Sequence, residues 1–264
     1  MRLPNSLKRA SVTGALFCYS LLLPAYAEAA STPCLAERSD ETVEIQHIHD
    51  GDTVWLRDGR KIRLIGINTP ELARDDRPAD PLAGEAKAAL QQRIRQSAKV
   101  RLRYGQEKSD RYGRLLAHLY DSQGQNLSEW LLRQGLAYAL TVPPNLHHNT
   151  CYRQAEQDAR AQRKGLWSDK YTYILQADKL PRSTRGFQLI QGQVERVGHS
   201  RDAVWLNFNR QFAVRIQRQD LPWFQGIKLD NLKGKRLEVR GWVQYHNNQL
   251  RMRVQHPAAL QDLP

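Results

Sequence analysis

A chain of 264 residues is long enough for two ordinary domains, each with a real core. Its 40 Lys+Arg against 27 Asp+Glu give a formal charge of +13, which suits a polyanionic partner but does not choose between nucleic acid and an anionic membrane. Three cysteines with no CxxC or Cys/His spacing exclude a structural zinc, and no stretch is apolar enough to span a bilayer comfortably.

Arg2, Lys8 and Arg9 form a basic start, Thr13 to Leu23 an apolar run, and Ala25-Tyr26-Ala27 a small-x-small cleavage site. This pattern predicts a signal peptide over residues 1–27 and an exported mature chain, periplasmic or secreted, with no membrane attachment after cleavage. Cleavage removes three bases and no acids, so +13 becomes +10. The surplus is uneven: residues 28–169 carry 21 bases and 20 acids, residues 185–264 carry 13 and 6. Cys18 leaves with the leader. Cys34 and Cys151 remain as a possible disulfide between arm and body, and the sequence is equally compatible with two free thiols.

Residues 28–41 read as a loose arm, and Thr42 to His49 as a strand. Asp50 to Glu71 then predicts a hairpin, because Asp58-Gly59 is a tight-turn signal between alternating apolar residues. Closing it brings Asp52 near Asn68, Thr69 and Glu71. Oxygen donors gathered at one sheet edge suit a hard cation such as Ca²⁺, and Arg63 can point into the same pocket. Arg74 to Pro81 reads as a loop, Leu82 to Ala98 as a helix, Lys99 to Tyr104 as a strand, Gly105 to Gly113 as a loop and Arg114 to Asp121 as a strand. Asn126 or Ser128 caps a short helix ending at Gly135, and a polar helix runs from about His147 to Lys164. Three strands, a helix, two strands and two helices predict a five-stranded barrel of the oligonucleotide-binding (OB) type.

Residues 170–186 have little periodicity and read as a linker. Strands follow at 187–197, 203–209, 212–217, 237–245 and 250–255, with a helical piece between Asp220 and Leu232. The expected architecture is mostly β with helices (α+β): a first barrel over 42–169 and a second small OB-like barrel over 187–264.

The motifs Asp50-Gly51-Asp52-Thr53-Val54, Arg63-Leu64 with Thr69-Pro70-Glu71, Asp110-Arg111-Tyr112-Gly113-Arg114, Arg133-Gln134-Gly135-Leu136-Ala137 and Gly165-Leu166-Trp167-Ser168 stand in order at suitable spacing. Through them residues 42–168 resemble the staphylococcal nuclease (thermonuclease) family. The resemblance implies a calcium-dependent endonuclease for DNA and RNA that leaves 3′-phosphate ends. It gives Asp52, Asn68 and Thr69 to the metal, Glu71 to the attacking water, and Arg63 and Arg114 to the scissile phosphate. Two positions depart from the family. Asn68 stands where Asp is commoner, and Leu140-Thr141-Val142-Pro143 replaces a Tyr-x-Tyr that contacts nucleotide. Arg111, Tyr112 and Tyr138 are candidates for those contacts.

In the C-terminal part, strand alternation turns Trp205, Arg215, Arg240, Trp242, Arg251 and Arg253 off the core face. Arginine interleaved with tryptophan predicts a single-strand-binding platform, and the rival expectation is a face packed on the first domain. The expected protein is a monomer acting on single-stranded or unpaired regions. The alternative function is a secreted nucleic-acid-binding protein without catalysis.

Overall fold

The computed structural model describes residues 34–264 apart from Asp76 and Ala98. The expected leader lies outside the described residues. Strands β1 (Glu41–Val43), β2 (Ile45–Ile48), β3 (Thr53–Leu56) and β4 (Lys61–Leu64) precede a two-residue strand β5 (Ile67–Asn68) and helix α1 (Ala83–Arg95). Then come β6 (Val100–Ser109), β7 (Leu115–Tyr120), α2 (Leu127–Arg133), the short β8 (Tyr138–Ala139) and α3 (Asn149–Ala161). The first large sheet has the order β1-β6-β7-β4-β3-β2. Only Glu44 separates β1 from β2, yet these strands occupy opposite edges, so the sheet must curl until its edges meet. This is the OB-type barrel expected from the strand order.

The alternating apolar residues do what the pattern requires. Val54, Leu56, Ile62 and Leu64 are buried together with Leu102, Ala117 and Leu119. Asn126 caps α2 by accepting from Glu129 N, satisfying one of the free amides of the first turn. Strand β6 runs on to Ser109, beyond the expected end at Tyr104. The cause is remote: the Asn145 side chain accepts from Glu107 N (2.9 Å) and donates to Glu107 O (3.0 Å), fixing a stretch that looked like a polar loop. Cys34 and Cys151 are joined by a disulfide across 117 positions, with Cα atoms 5.9 Å apart.

The second sheet is built from β9 (Leu175–Gln176), β10 (Gly186–Gln193), β11 (Arg196–His199), β12 (Ala203–Asn207), β13 (Phe212–Gln217), β14 (Arg236–His246), β15 (Gln249–Arg253) and β16 (Leu260–Asp262). Its order β11-β12-β13-β15-β14-β10-β9, with β16 on β14, repeats the connectivity of the first sheet. Again one interrupted strand, β10 followed by β11, closes the set, with β11 at one edge and β10 next to the added edge strand β9 at the other, and the third and fifth strands of the set (β13 and β15) pair in parallel, as β4 and β7 do. The helical piece expected between Asp220 and Leu232 is two 3₁₀ turns, Arg218–Phe224 and Leu229–Leu232; Pro222 denies the first an α-helical hydrogen bond. Residues 170–186 are more than a connector. Leu175–Gln176 pairs with β10, and Ala177 and Leu180 are buried in the second core. Among the described residues, no helix is long and apolar enough to cross a membrane.

The outer face of β10 and β14 packs on α3. Leu189 and Phe187 meet Ala159, Trp167 and Tyr138, while Arg160 pairs with Glu238 (2.6 Å) and Arg240 with Glu156 (2.6 Å). Burial pushes the Glu238 carboxyl up, but hydrogen bonds from Arg160 and Gln191 and the nearby arginines outweigh it and hold the group below the usual glutamate range.

A histidine cluster beside α3 sets an acid limit. His118 is fully buried with Nδ1 2.7 Å from the Tyr152 hydroxyl, and His148 Nε2 lies 2.9 Å from the Tyr120 hydroxyl. Burial, reinforced by mutual repulsion and Arg103, lowers the pKa values of His118 and His148, the latter to about 4. The unfolded chain protonates these rings near 6.5, so it binds more protons than the folded one below that pH. Stability should therefore decline as pH falls from about 6.5 towards 4. The pH slope of Tm in that window should flatten in His148→Gln; an unchanged slope would remove His148 as a cause.

Candidate active site

Asp52 sits where the chain enters β3, held by Asp50 Oδ1 accepting from its backbone amide (3.0 Å). Gly51 allows this approach: a Cβ there would lie 2.8 Å from Thr69 Cγ2 and 2.9 Å from Ala86 Cβ. Asp52 is buried; its Oδ2 accepts from Thr69 N (2.8 Å) and pairs with Arg63 Nη2 (3.0 Å), and its Oδ1 accepts from the Thr53 hydroxyl (3.1 Å). Burial pushes the Asp52 carboxyl up, and the Arg63 guanidinium pulls it the other way.

Arg63 is fixed from several sides. Its Nη1 donates to Leu64 O (2.9 Å) and Ile67 O (3.0 Å), and its Nη2 reaches Asn68 Oδ1 (3.3 Å). The guanidinium thus bridges the two side-chain oxygens expected to bind a cation. Asn68 and Thr69 are buried as well, and Asn68 Nδ2 lies 3.4 Å from Thr69 O. The turn from β4 into β5 depends on Gly66, whose φ is +85° and whose Cβ would fall 2.1 Å from the Tyr152 ring.

Strands β4 and β7 run parallel with Arg63 opposite Leu116. Arg114 precedes Leu116 by two positions and therefore shares the face of Arg63. Asp110 holds it, accepting from Arg114 N (3.0 Å) and Nε (2.7 Å). Burial opposes ionisation of Asp110, but the bonds from Arg114 and the Tyr112 amide prevail and keep its carboxyl below the usual range. Arg111 lies 4.8 Å and Arg114 5.6 Å from the centroid of Tyr112, which is 68% exposed.

Glu71 is exposed. Its backbone is anchored by Asp80, which accepts from Glu71 N at Oδ2 (3.0 Å) and donates its own amide to Glu71 O (2.9 Å). Among the described residues, the Glu71 carboxylate has no hydrogen-bond or ion-pair partner. Asp80, which no sequence motif includes, and Asp110, which stands in a motif without a role of its own there, are positioning groups. Their only local signal is an acid three or four positions from an arginine.

The structure also places β5 against β8, with Ile67 opposite Ala139 and Asn68 opposite Tyr138. Ala139 is gripped from behind: its N donates to Glu156 Oε1 (2.7 Å) and its O accepts from Arg240 Nη1 (3.2 Å).

The predicted C-terminal platform divides. Arg240 is withdrawn from it; only 10% exposed at the side chain, it lies between Glu156 and Glu238 because α3 covers that part of the sheet. Trp242 shares that outer face with Arg240, edge-on to Phe187 and 43% exposed. Arg253 pairs with Asp220, and Arg215 with Asp202. Trp205 and Arg251 remain together on a separate stretch of the sheet, where the Arg251 guanidinium lies 5.0 Å from the indole centroid.

A cluster of Cys34, Glu129 and Cys151 has the spacing of a metal site, but its sulfurs are already bonded to each other and Glu129 Oε2 accepts from Cys34 N (2.8 Å). The site around Asp52 offers instead a carboxylate, an amide oxygen and Thr69. This is a hard donor set that fits Ca²⁺ better than a soft or tetrahedral metal.

An OB-type barrel with Asp52 paired to Arg63, and with Arg114 just before the strand that pairs with β4, has groups that phosphodiester cleavage needs. A model of the staphylococcal nuclease homologue family matches residues 61–169, which include Arg63, Asn68, Thr69, Glu71 and Arg114. The chain is 32% identical to a thermonuclease of Staphylococcus hyicus over 138 residues, 51% of this chain and 80% of that one. It is 32% identical over 130 residues to a thermonuclease of Staphylococcus intermedius, covering 48% and 76%, and 31% identical over 131 residues to the endonuclease YncB of Bacillus subtilis, covering 48% and 61%. The chain belongs to the staphylococcal nuclease family. It is a nuclease, a phosphodiester hydrolase acting on nucleic acid.

Proposed function

We propose that the protein is an exported, calcium-dependent endonuclease that cuts DNA and RNA in single-stranded or unpaired regions, as a monomer, and leaves 3′-phosphate ends. The observation that carries the reading is the Arg63 guanidinium bonded to both Asp52 and Asn68, with Arg114 on the same sheet face. Arg63 and Arg114 contact the scissile phosphate. Arg114, held through Nε alone, keeps its Nη groups for a two-point contact, while Arg63, whose Nη groups are engaged by Asp52, Asn68, Leu64 and Ile67, offers Nε–H and a fixed positive charge; together they stabilise the charge that builds there during attack. Glu71 accepts a proton from the attacking water, whose oxygen bonds to phosphorus as the bond to the 5′-oxygen breaks. Asp52, Asn68 and Thr69 would hold the calcium ion, which supplies Lewis-acid stabilisation of the phosphate when bound. Residues 42–169 do the cutting; 187–264, joined through 170–186, do the holding.

Digestion of single-stranded and duplex DNA and of RNA by the purified mature chain, with calcium or with chelator, tests the reading. Cleavage under calcium with 3′-phosphate ends is expected. Retarded but intact nucleic acid in calcium would instead support the non-catalytic binder.

Asn68 removes one negative charge from a cation site that already holds Arg63. Asn68→Asp should tighten calcium binding about tenfold or more, since ligand charge count tunes such sites. Calcium titration by calorimetry reads this directly, and unchanged affinity would show that Asn68 does not limit the site.

A further inference from the structure

The outer face of β11, β12, β13 and β15 carries a cavity of about 290 Å³ lined by Arg196, Gly198, His199, Trp205, Asn207, Gln249 and Arg251. It forms because these strands alternate: Val204, Leu206, Val214, Ile216, Leu250 and Met252 go to the core. Gly198 stands opposite Trp205 and contributes no side chain, so the Arg196 guanidinium lies across it, 2.9 Å from where a Cβ would be. Trp205 is fixed by its Nε1–H donating to Ser200 Oγ (3.1 Å), and Arg215 and Arg251 stand 5.6 and 5.0 Å from its centroid. No carboxylate lines the cavity, and among the described residues neither Arg196 nor Arg251 forms an ion pair. The other arginines of the expected platform are neutralised: Arg215 by Asp202, Arg240 by Glu156, Arg253 by Asp220.

We propose that this cavity is a second nucleic-acid site, taking one unstacked nucleotide of a single strand, with its phosphate on Arg196 and Arg251 and its base against Trp205. A fixed indole, two guanidiniums without acidic partners (Arg251 Nε donates only to Gln249 Oε1, 3.2 Å) and the remaining amide atoms of Asn207 and Gln249 match a base and its phosphate, whereas a duplex presents no open base face. The site holds strand outside the cutting centre, so it adds affinity for long substrates and leaves chemistry on short ones alone. This deepens the nuclease reading and rests on it.

The test uses the full mature chain in chelator, a fluorescent oligo-dT of twenty nucleotides, and anisotropy titrations from 50 to 200 mM salt. Trp205→Ala should weaken binding about 5- to 100-fold. Arg196→Gln and Arg251→Gln should each lower the slope of log K against log salt by about 0.7. Calcium-dependent cleavage of a dinucleotide too short to reach the cavity should be unaltered in all three. Cleavage absent in the parent chain would overturn the nuclease reading instead. Oligo-dT affinity unchanged by Trp205→Ala and by both arginine variants, with dinucleotide cleavage intact, overturns the second site. Loss of heparin binding equal to the loss of oligo-dT binding in Trp205→Ala also overturns it, since a base contact must discriminate between those polymers. Should Trp205→Ala fail to fold, the variants of exposed Arg196 and half-buried Arg251 decide.

Discussion

Replacing Arg114 by Gln should lower kcat on DNA about 10²- to 10³-fold while leaving the fold intact. The size follows from loss of one preorganised charge donor to the phosphate, about 3–4 kcal/mol in the barrier. The intact fold follows because Asp110 keeps its bonds from the Tyr112 and Arg114 backbone amides when the guanidinium is lost, and glutamine is neutral and can be solvated at a side chain 30% exposed. Arg114→Lys keeps the charge but loses the fork, so it should recover only part of the rate. Arg63 is a poorer target, because its loss would strand the buried Asp52 carboxylate and mix a folding defect with a catalytic one. A kcat within threefold of the parent in Arg114→Gln, with circular dichroism unchanged, would take Arg114 out of the chemistry.

Arg240→Met is expected to be the most damaging change far from the phosphate site, costing about 3–5 kcal/mol in urea unfolding. Glu238 keeps Arg160 at 2.6 Å, but Glu156, 5% exposed, has no other ion-pair partner among the described residues. It would be left as a buried, uncompensated carboxylate. Adding Glu156→Gln to Arg240→Met should therefore restore much of the loss, since the neutral amide can still accept from Ala139 N. Activity should fall too, before unfolding begins. Arg240 and Glu156 hold Ala139, Ala139 pairs with Ile67, and the Ile67 carbonyl accepts from Arg63. A stability loss below 1 kcal/mol, or a double variant no better than the single one, would show that this network is incidental.

Much of this protein was legible in order along the chain. The Asp58-Gly59 hairpin, the alternation of Val54, Leu56, Ile62 and Leu64, and the positions of Asp52, Arg63, Glu71 and Arg114 are local patterns, and strand period and turn chemistry are local physics. Those patterns carried the first barrel and its catalytic candidates. Misses came where a distant group overrode them: Asn145 extending β6, Tyr138–Ala139 pairing with Ile67–Asn68, and Leu175, Ala177 and Leu180 joining the second core.

The arginines of the second sheet show the boundary between the two levels. Alternation determines that Arg240 and Arg251 both leave the core face, because side chains on a strand point to opposite sides in turn. It says nothing of what lies beyond that face. Only the tertiary structure decided that α3 brings Glu156 against Arg240, while Arg251 is left beside Trp205 and an open cavity. The same holds at the candidate active site. The sequence supplied the acids and arginines; the fold set Arg63 between Asp52 and Asn68, because a buried carboxylate must find its counter-charge across strands rather than along the chain.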